Sequence, residues 1–269
     1  MKKKIALILA VLMTLSCLSA AVAEGTFRVG MECNYTPFNW TQTKPSELSV
    51  PIEGGGGYAD GYDVQIAKKI AEGLGKELVI VKTEWDGLPM GVISSAFDAI
   101  IAGMSPTAER KATLDFTDAY YTSELVVVVK KDGAYAAAKA LEDLSGATIT
   151  GQLNTFHYSV ISQIPSVNVA TAMKTFPAMI VALRSGGVDG YVAERPGAEA
   201  DIAANPDLTY VAFEEGKGFT ASENDVSIAV GLKKDSELLA PINEVLAGID
   251  AQERLQIMLD ATTRQPLNQ

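Results

Sequence analysis

The chain has little of what cross-links a protein or arms a catalytic centre: its 269 residues include two cysteines, Cys17 and Cys33, and one histidine, His157. Cys17 sits in the first apolar run. A chain that sheds this run keeps Cys33 alone and can close no disulfide within itself. One histidine far in sequence from that cysteine builds neither a metal cluster nor a nucleophile triad, and no cofactor motif stands beside it. Basic residues are scarce as well, 22 Lys and Arg against 33 Asp and Glu, for a net charge of −11. That balance argues against nucleic acid as a partner. The apolar stretch from Ile5 to Leu18 is too short for a membrane span.

What is present begins with a leader. MKKKIALILAVLMTLSCLSAAVA has a lysine-rich start, an apolar middle and small residues at its end, the layout of a secretory signal peptide with cleavage after Ala23. In a second reading Leu-Ser-Cys17 is a lipid-attachment site, although Thr14 and Leu15 fit that pattern badly. Either way the expected destination is extracytoplasmic: periplasm, or cell surface if Cys17 is lipidated. Loss of Lys2, Lys3 and Lys4 with residues 1–23 takes the charge from −11 to −14. The remaining chain is long enough for two modest domains or one large one, and 48% hydrophobic content excludes a disordered one.

Helical and strand patterns alternate along the mature part. In GYDVQIAKKIAEGLG, Val64, Ala67, Ala71 and Leu74 recur at helical spacing, with Asp63 as the expected N-cap and Gly75 as the stop. The strands ELVIV, FDAIIA, ATIT, VNVA and VDGYVA are separated by further helical segments, a rhythm that predicts α/β layers with mainly parallel sheets. A shift of 91 residues places Asp98 on Asp189 and Gly103 on Glu194, so two similar lobes are one reading; the other is that helix-turn-strand units simply look alike. The long apolar runs SELVVVVKK and VSIAVGLKK are the expected crossings between lobes. They divide the chain into a first lobe, 24–125, a second, 126–227, and a return, 228–269, in which Ile242, Val245, Leu246 and Ile249 form one apolar helical face. The stretch 41–57, rich in Pro, Gly and polar residues, reads as a loop.

Four places carry chemistry. Ser105-Pro106 suits a helix start, and Arg110 beyond it can grip a carboxylate with two parallel hydrogen bonds. The alternative is a solvated side chain or a partner for Asp115 or Asp118. Glu194 follows the apolar strand GYVA and precedes Arg195-Pro196, so it either holds a ligand ammonium at a strand end or pairs with Arg195 on the surface. In GQLNTFHY, Asn154 or Thr155 caps a helix starting near Phe156, which offers donors to an anion. His157, one residue inside that helix, is expected at the exposed surface. Near the N-terminus GMECNYTPFNW gathers Glu32, Tyr35, Phe38 and Trp40; aromatics there more often pack a core, but the acid beside them invites a ligand.

The ordered set GMECNYTPF, GYDVQIAKKIAEGLG, WDGLPMGVISSAFDAIIAGMSPTAERK, LDFTDAYY and GGVDGYVAERP resembles the family 3 solute-binding proteins, the periplasmic amino-acid receptors of ABC importers, over essentially the whole mature chain. The resemblance implies a two-lobed type II binding-protein fold, closed by hinge strands around a free amino acid. It implies that Arg110 of Thr107-Ala108-Glu109-Arg110 pairs with the ligand carboxylate, that Gly103 and Ser105 bind the amino-acid head, and that Glu194 holds its ammonium. Thr155 then meets the carboxylate, while Glu32, Tyr35 and Trp85 contact the side chain. Glu194 is one methylene longer than the family's aspartate, Asn154 replaces a common glycine, and Phe156 stands where relatives carry a polar residue. An acid in the side-chain subsite favours arginine or lysine, with glutamine next, and disfavours glutamate. The expected partners are the importer's membrane subunits; a monomer without cofactor or metal is expected. The alternative on the same fold is a prephenate or arogenate dehydratase, with Glu194 or His157 as its general acid.

Overall fold

A computed structural model describes residues 25–266; the leader, its cleavage site and Cys17 lie outside them. Two five-stranded sheets organise the chain. In spatial order the first runs Glu77–Lys82, Thr26–Met31, Ala99–Ile100, Ser227–Lys233, Leu114–Thr122, and the second Asn168–Val169, Thr148–Thr150, Gly190–Glu194, Leu125–Lys130, Leu208–Val211. The sheets are mixed rather than mainly parallel, each with two parallel and two antiparallel pairings. The reason is connectivity. Strands that follow one another through a crossover lie parallel, whereas Ser227–Lys233 and Leu125–Lys130, the strands by which the chain enters each sheet from the other, run against their neighbours. The two crossings touch: Ser123 donates its N–H to the Val226 carbonyl at 3.0 Å, next to the Thr122–Ser227 pair.

The two sheets repeat one local device. Asp98 Oδ2 accepts the Arg28 N–H at 2.8 Å and Asp189 Oδ2 accepts the Thr148 N–H at 2.8 Å. In both cases the aspartate's own N–H returns to the carbonyl of that same partner residue at 2.8 Å. Val29 then faces Ala99 in the first sheet as Ile149 faces Gly190 in the second. The 91-residue shift therefore relates two strands in equivalent registers.

Local sequence sets most helix bounds, with exceptions. The helix Tyr62–Gly73 buries Val64, Ala67 and Ala71 as its spacing predicts, and Gly75 follows it at φ 64. Its N-cap is Gly61, however, and Asp63 lies inside the first turn, buried, accepting from Tyr120 Oη at 2.7 Å and Asn39 Nδ2 at 2.8 Å. Tertiary partners drew that carboxylate inward. Part of the expected loop 41–57 is ordered: Val50–Pro51 pairs with Tyr58–Asp60 in a small antiparallel sheet with Asn39–Gln42 and Asn34–Tyr35. The helix Leu239–Ala247 buries Ile242 and Leu246 and packs on Leu114–Thr122, covering the first sheet.

Along Gly190–Glu194 side chains alternate between two apolar clusters, Tyr191 and Ala193 on one face and Val192 on the other. The larger cluster is continuous between the lobes through Tyr35 and Phe176, whose rings stack 4.4 Å apart. That bridge places the candidate site.

Candidate functional site

Strand ends make the site. Gly190–Glu194 is buried throughout, and the proline after Arg195 opens the helix Arg195–Ala204. Glu194 is thus held at a strand-to-helix turn, 3% exposed, facing the first lobe. From that lobe the segment after Ala99–Ile100 brings Ala102, Gly103 and Ser105, then the short helix Ala108–Lys111 that carries Arg110. The cap of this helix is Thr107, whose Oγ1 accepts the Arg110 N–H at 3.3 Å, and not Ser105. Ser105 lies before the proline, which disfavours helical geometry in its predecessor, and its carbonyl is turned to Arg110 Nη1 at 2.9 Å.

One small cavity is lined by Tyr35, Trp85, Gly103, Ser105, Arg110, Thr155 and Glu194, together with Ala102, Gln152, Phe156 and His157. The structure therefore gathers seven of the eight residues singled out in the sequence. The eighth, Glu32, is set behind the cavity wall and touches it through Gln152, whose Nε2 donates to Glu32 Oε2 at 3.2 Å. The cavity's volume is about 10 Å³, room for about one water. A larger space of about 850 Å³ opens beyond Arg110, Trp85 and Asn154.

The cavity is small because the lobes meet across it. Arg110 Nη2 reaches the Asn154 carbonyl at 3.0 Å, Asn154 Nδ2 donates to Asp86 at 2.8 Å, and the Tyr35 hydroxyl donates to Glu194 Oε2. Tyr35 fits tightly between glycines: a Cβ on Gly103 would lie 3.0 Å from its ring and one on Gly197 3.1 Å. Gly103 also has φ 65, so glycine is needed there twice over. Trp85 lies under Arg110, the guanidinium carbon 5.1 Å from its ring centroid.

Arg110 is not a surface ion pair. Asp115 is held instead by Lys234 and by the Asp235 N–H, and among the described residues no carboxylate lies within 4.0 Å of the guanidinium. Nor does Glu194 pair with Arg195, which turns to Glu124. Its partner is His157, Nε2 to Oε1 at 2.8 Å. This overturns the expectation that His157 is exposed: it is 8% exposed and lines the cavity. Thr155 occupies the N-cap position of Phe156–Ser159, but its hydroxyl turns back to the Gln152 carbonyl at 2.7 Å rather than capping.

Residues 27–261 match the bacterial extracellular solute-binding proteins, family 3. The chain belongs to that family. This solute-binding protein is 31% identical to a probable histidine-binding protein of Campylobacter jejuni, over 84% of this chain and 78% of the relative. Its fold is similar to that of an amino acid ABC transporter substrate-binding protein from Streptococcus pneumoniae bound to L-arginine, with a TM-score of 0.73 at 25% identity over 91% of this chain and 98% of the other. It is also similar to an ancestral arginine-binding protein bound to glutamine, TM-score 0.70 at 29% identity over 88% and 97% of the two chains.

Charge in this solute-binding protein is arranged in opposite senses on the two lobes. Burial pulls the Arg110 guanidinium down to about 10, still protonated at neutral pH. Burial pushes the Glu194 carboxyl up, but His157 and Tyr35 more than offset this and hold it below the usual carboxylate range. Glu32 is different: burial raises it to about 7, with Gln152 opposing, and its Oε1 has no hydrogen-bond partner. Cys33 is a buried free thiol, raised to about 12 by burial.

Four lining residues, Ala102, Gln152, Phe156 and His157, were not assigned to the ligand site from the sequence, His157 having a role only in the dehydratase alternative. His157 sits two residues past Thr155 at a helix start, so its nearness to the site was visible; its inward direction depends on how that helix packs. The role of Gln152 had no local signal at all.

Proposed function

We propose that this protein captures a polar or basic L-amino acid outside the cytoplasm and presents it to the membrane subunits of an ABC importer, with arginine or lysine first and glutamine next. The observation that carries this reading is a guanidinium without a carboxylate partner, Arg110, facing a buried carboxylate, Glu194, across one cavity. A zwitterion is the ligand that matches both. Its carboxylate takes a bidentate bond from Arg110 with help from Ser105 and Thr155; its ammonium goes to Glu194 and the Gly103 carbonyl; Tyr35, Trp85 and Glu32 surround the side chain. The histidine, arginine and glutamine named for the relatives support a ligand with nitrogen in its side chain.

Binding requires the lobes to part and to close again. The bonds of Arg110 to Asn154 and of Tyr35 to Glu194 are exchanged for bonds to ligand, so the ligand shifts the open–closed equilibrium by its preference for the closed arrangement. We place the lobes at 24–125 with 228–269 and at 126–227, the hinge in the two crossings, and the leader at 1–23, with lipidation of Cys17 as the variant. Among the described residues no helix is long and apolar enough to cross a membrane. The working form is a monomer that binds and catalyses nothing. For the dehydratase reading the acid must be poised for substrate, whereas Glu194 and His157 are engaged with each other.

Thermal unfolding with each common amino acid tests the proposal, because a ligand bound only by the folded state raises the midpoint. A shift with arginine or lysine that vanishes in Arg110→Ala is expected. No shift with any amino acid overturns it and makes prephenate and arogenate turnover the next assay.

A further inference from the structure

We infer that Asp86 and Asn154 form a latch between the lobes, one that touches no ligand and sets how slowly a bound amino acid leaves. The inference rests on the reading of Arg110 and Glu194 given above. Asp86 belongs to the turn Trp85–Gly87 of the first lobe, and Asn154 to the second-lobe segment between the strand Thr148–Thr150 and the helix Phe156–Ser159. Asn154 Nδ2 donates to Asp86 Oδ1 at 2.8 Å, while the Asn154 carbonyl accepts from Arg110 Nη2 at 3.0 Å. The first lobe thus grips one residue of the second at two points. Trp85, adjacent to Asp86 in the chain and packed under the Arg110 guanidinium, keeps the two gripping groups side by side.

The two points differ in what a ligand does to them. Arg110 lines the small cavity, so its bond to the Asn154 carbonyl is the one that a ligand carboxylate displaces. Asp86 and Asn154 line the larger space beyond and not the small cavity, so the bond between them survives. It is made only when the lobes are together, and it breaks before they part. A hydrogen bond to a carboxylate is stronger than one between neutral groups, but both side chains here are exposed and solvent weakens the pair. The effect is therefore several-fold rather than many-fold. It falls on release and not on capture, because an amino acid enters the open form, in which the latch is not made. Asn154 has φ 58, a left-handed conformation that asparagine tolerates better than most side chains and glycine adopts freely. Asn154→Gly therefore removes the amide without straining the backbone.

Stopped-flow tryptophan fluorescence, with Trp85 at the cavity as reporter, separates capture from release. The probes are one cationic and one neutral amino acid, L-arginine and L-glutamine or those that give the largest thermal shifts. Asp86→Ala and Asn154→Gly should each speed release by about three- to tenfold, and by the same factor for both ligands, with capture little changed. The double variant should release no faster than either single one, since both remove the same bond. Asp86→Asn keeps an acceptor for the amide and should stay near the wild-type rate. Release unchanged in Asn154→Gly overturns the latch, as do effects that add in the double variant. A loss confined to the cationic ligand and shared by Asp86→Asn also overturns it, and makes Asp86 a contact to the ligand side chain. Wild-type protein that binds amino acids while every variant releases them at its rate removes this inference alone. Wild-type protein that binds no amino acid removes the head-group reading with it.

Discussion

The two lobes share a frame and differ in the charge they place on it. Asp98 and Asp189 anchor equivalent strands with the same pair of hydrogen bonds to Arg28 and Thr148. Counting on from those partners sets Glu32 opposite Gln152, and these two side chains do meet across the cleft at 3.2 Å. Counting on from the aspartates sets Gly103 opposite Glu194, and both line the cavity. One lobe offers a cation, Arg110, and the other an anion, Glu194. A repeated frame thus puts two strand ends face to face, and unlike residues on it make them complementary to a molecule with unlike ends. A symmetric pair of arginines or of glutamates could not close without a counterion.

The largest expected effect breaks the cationic half. Arg110→Ala should lower amino-acid affinity by about 100-fold or more in titration calorimetry, since the ligand carboxylate is then buried without its charge partner. Its ligand-free midpoint should fall by a smaller margin, because the guanidinium gives up two hydrogen bonds to backbone carbonyls and its place over Trp85. The anionic half should follow. Glu194→Gln keeps the shape and removes the charge, for a loss of about 10- to 100-fold.

A third measurement compares the lobes through stability. Glu32 in the first lobe and Asp201 in the second are both pushed by burial to about 7, from ordinary values of 4.5 and 3.8. A carboxyl raised in this way contributes stability that is fully present below its unfolded value and lost as pH rises through 7. The unfolding midpoint of ligand-free protein should therefore drop between pH 5 and pH 8. Glu32→Gln should recover, at pH 8, at most on the order of 3 kcal/mol. Asp201→Asn, which keeps an acceptor for Tyr191 Oη, should act likewise; a midpoint equally high at both pH values in wild type would refute both.

The smallest effect concerns the frame itself. Asp98→Asn and Asp189→Asn should each cost about 1 kcal/mol in denaturant unfolding, the second less because Asp189 is exposed. Costs differing several-fold would mean that the equivalence of the two devices does not extend to energy.

Much of this was legible. The alternation of helical and strand spacing gave the α/β layers, and seven of eight chosen residues line one cavity. Asp63 fits a cap on local backbone pattern alone, whereas Tyr120, 57 residues away, supplies its partner. Likewise a Ser-Pro pair resembles a helix start until the competing Thr107 side chain is seen to make the capping bond. A four-residue helix has too few turns to show which face is apolar, so sequence alone points His157 outward where the structure buries it.

The sequence by itself determined the order and type of the elements, the scarcity of cross-linking groups, the glutamate at the end of one apolar strand and the arginine in a helical turn beyond another. These rest on periodicity, composition and neighbouring residues, which act over a few positions. Only the tertiary structure decided that Glu32 is set behind Gln152, that Arg110 has no carboxylate partner among the described residues, and that Glu194 is shared by His157 and Tyr35. Those facts depend on where two sheets, joined by crossings a hundred residues apart, place their strand ends relative to each other. Distance and burial, not residue type, then set each group's charge and reach.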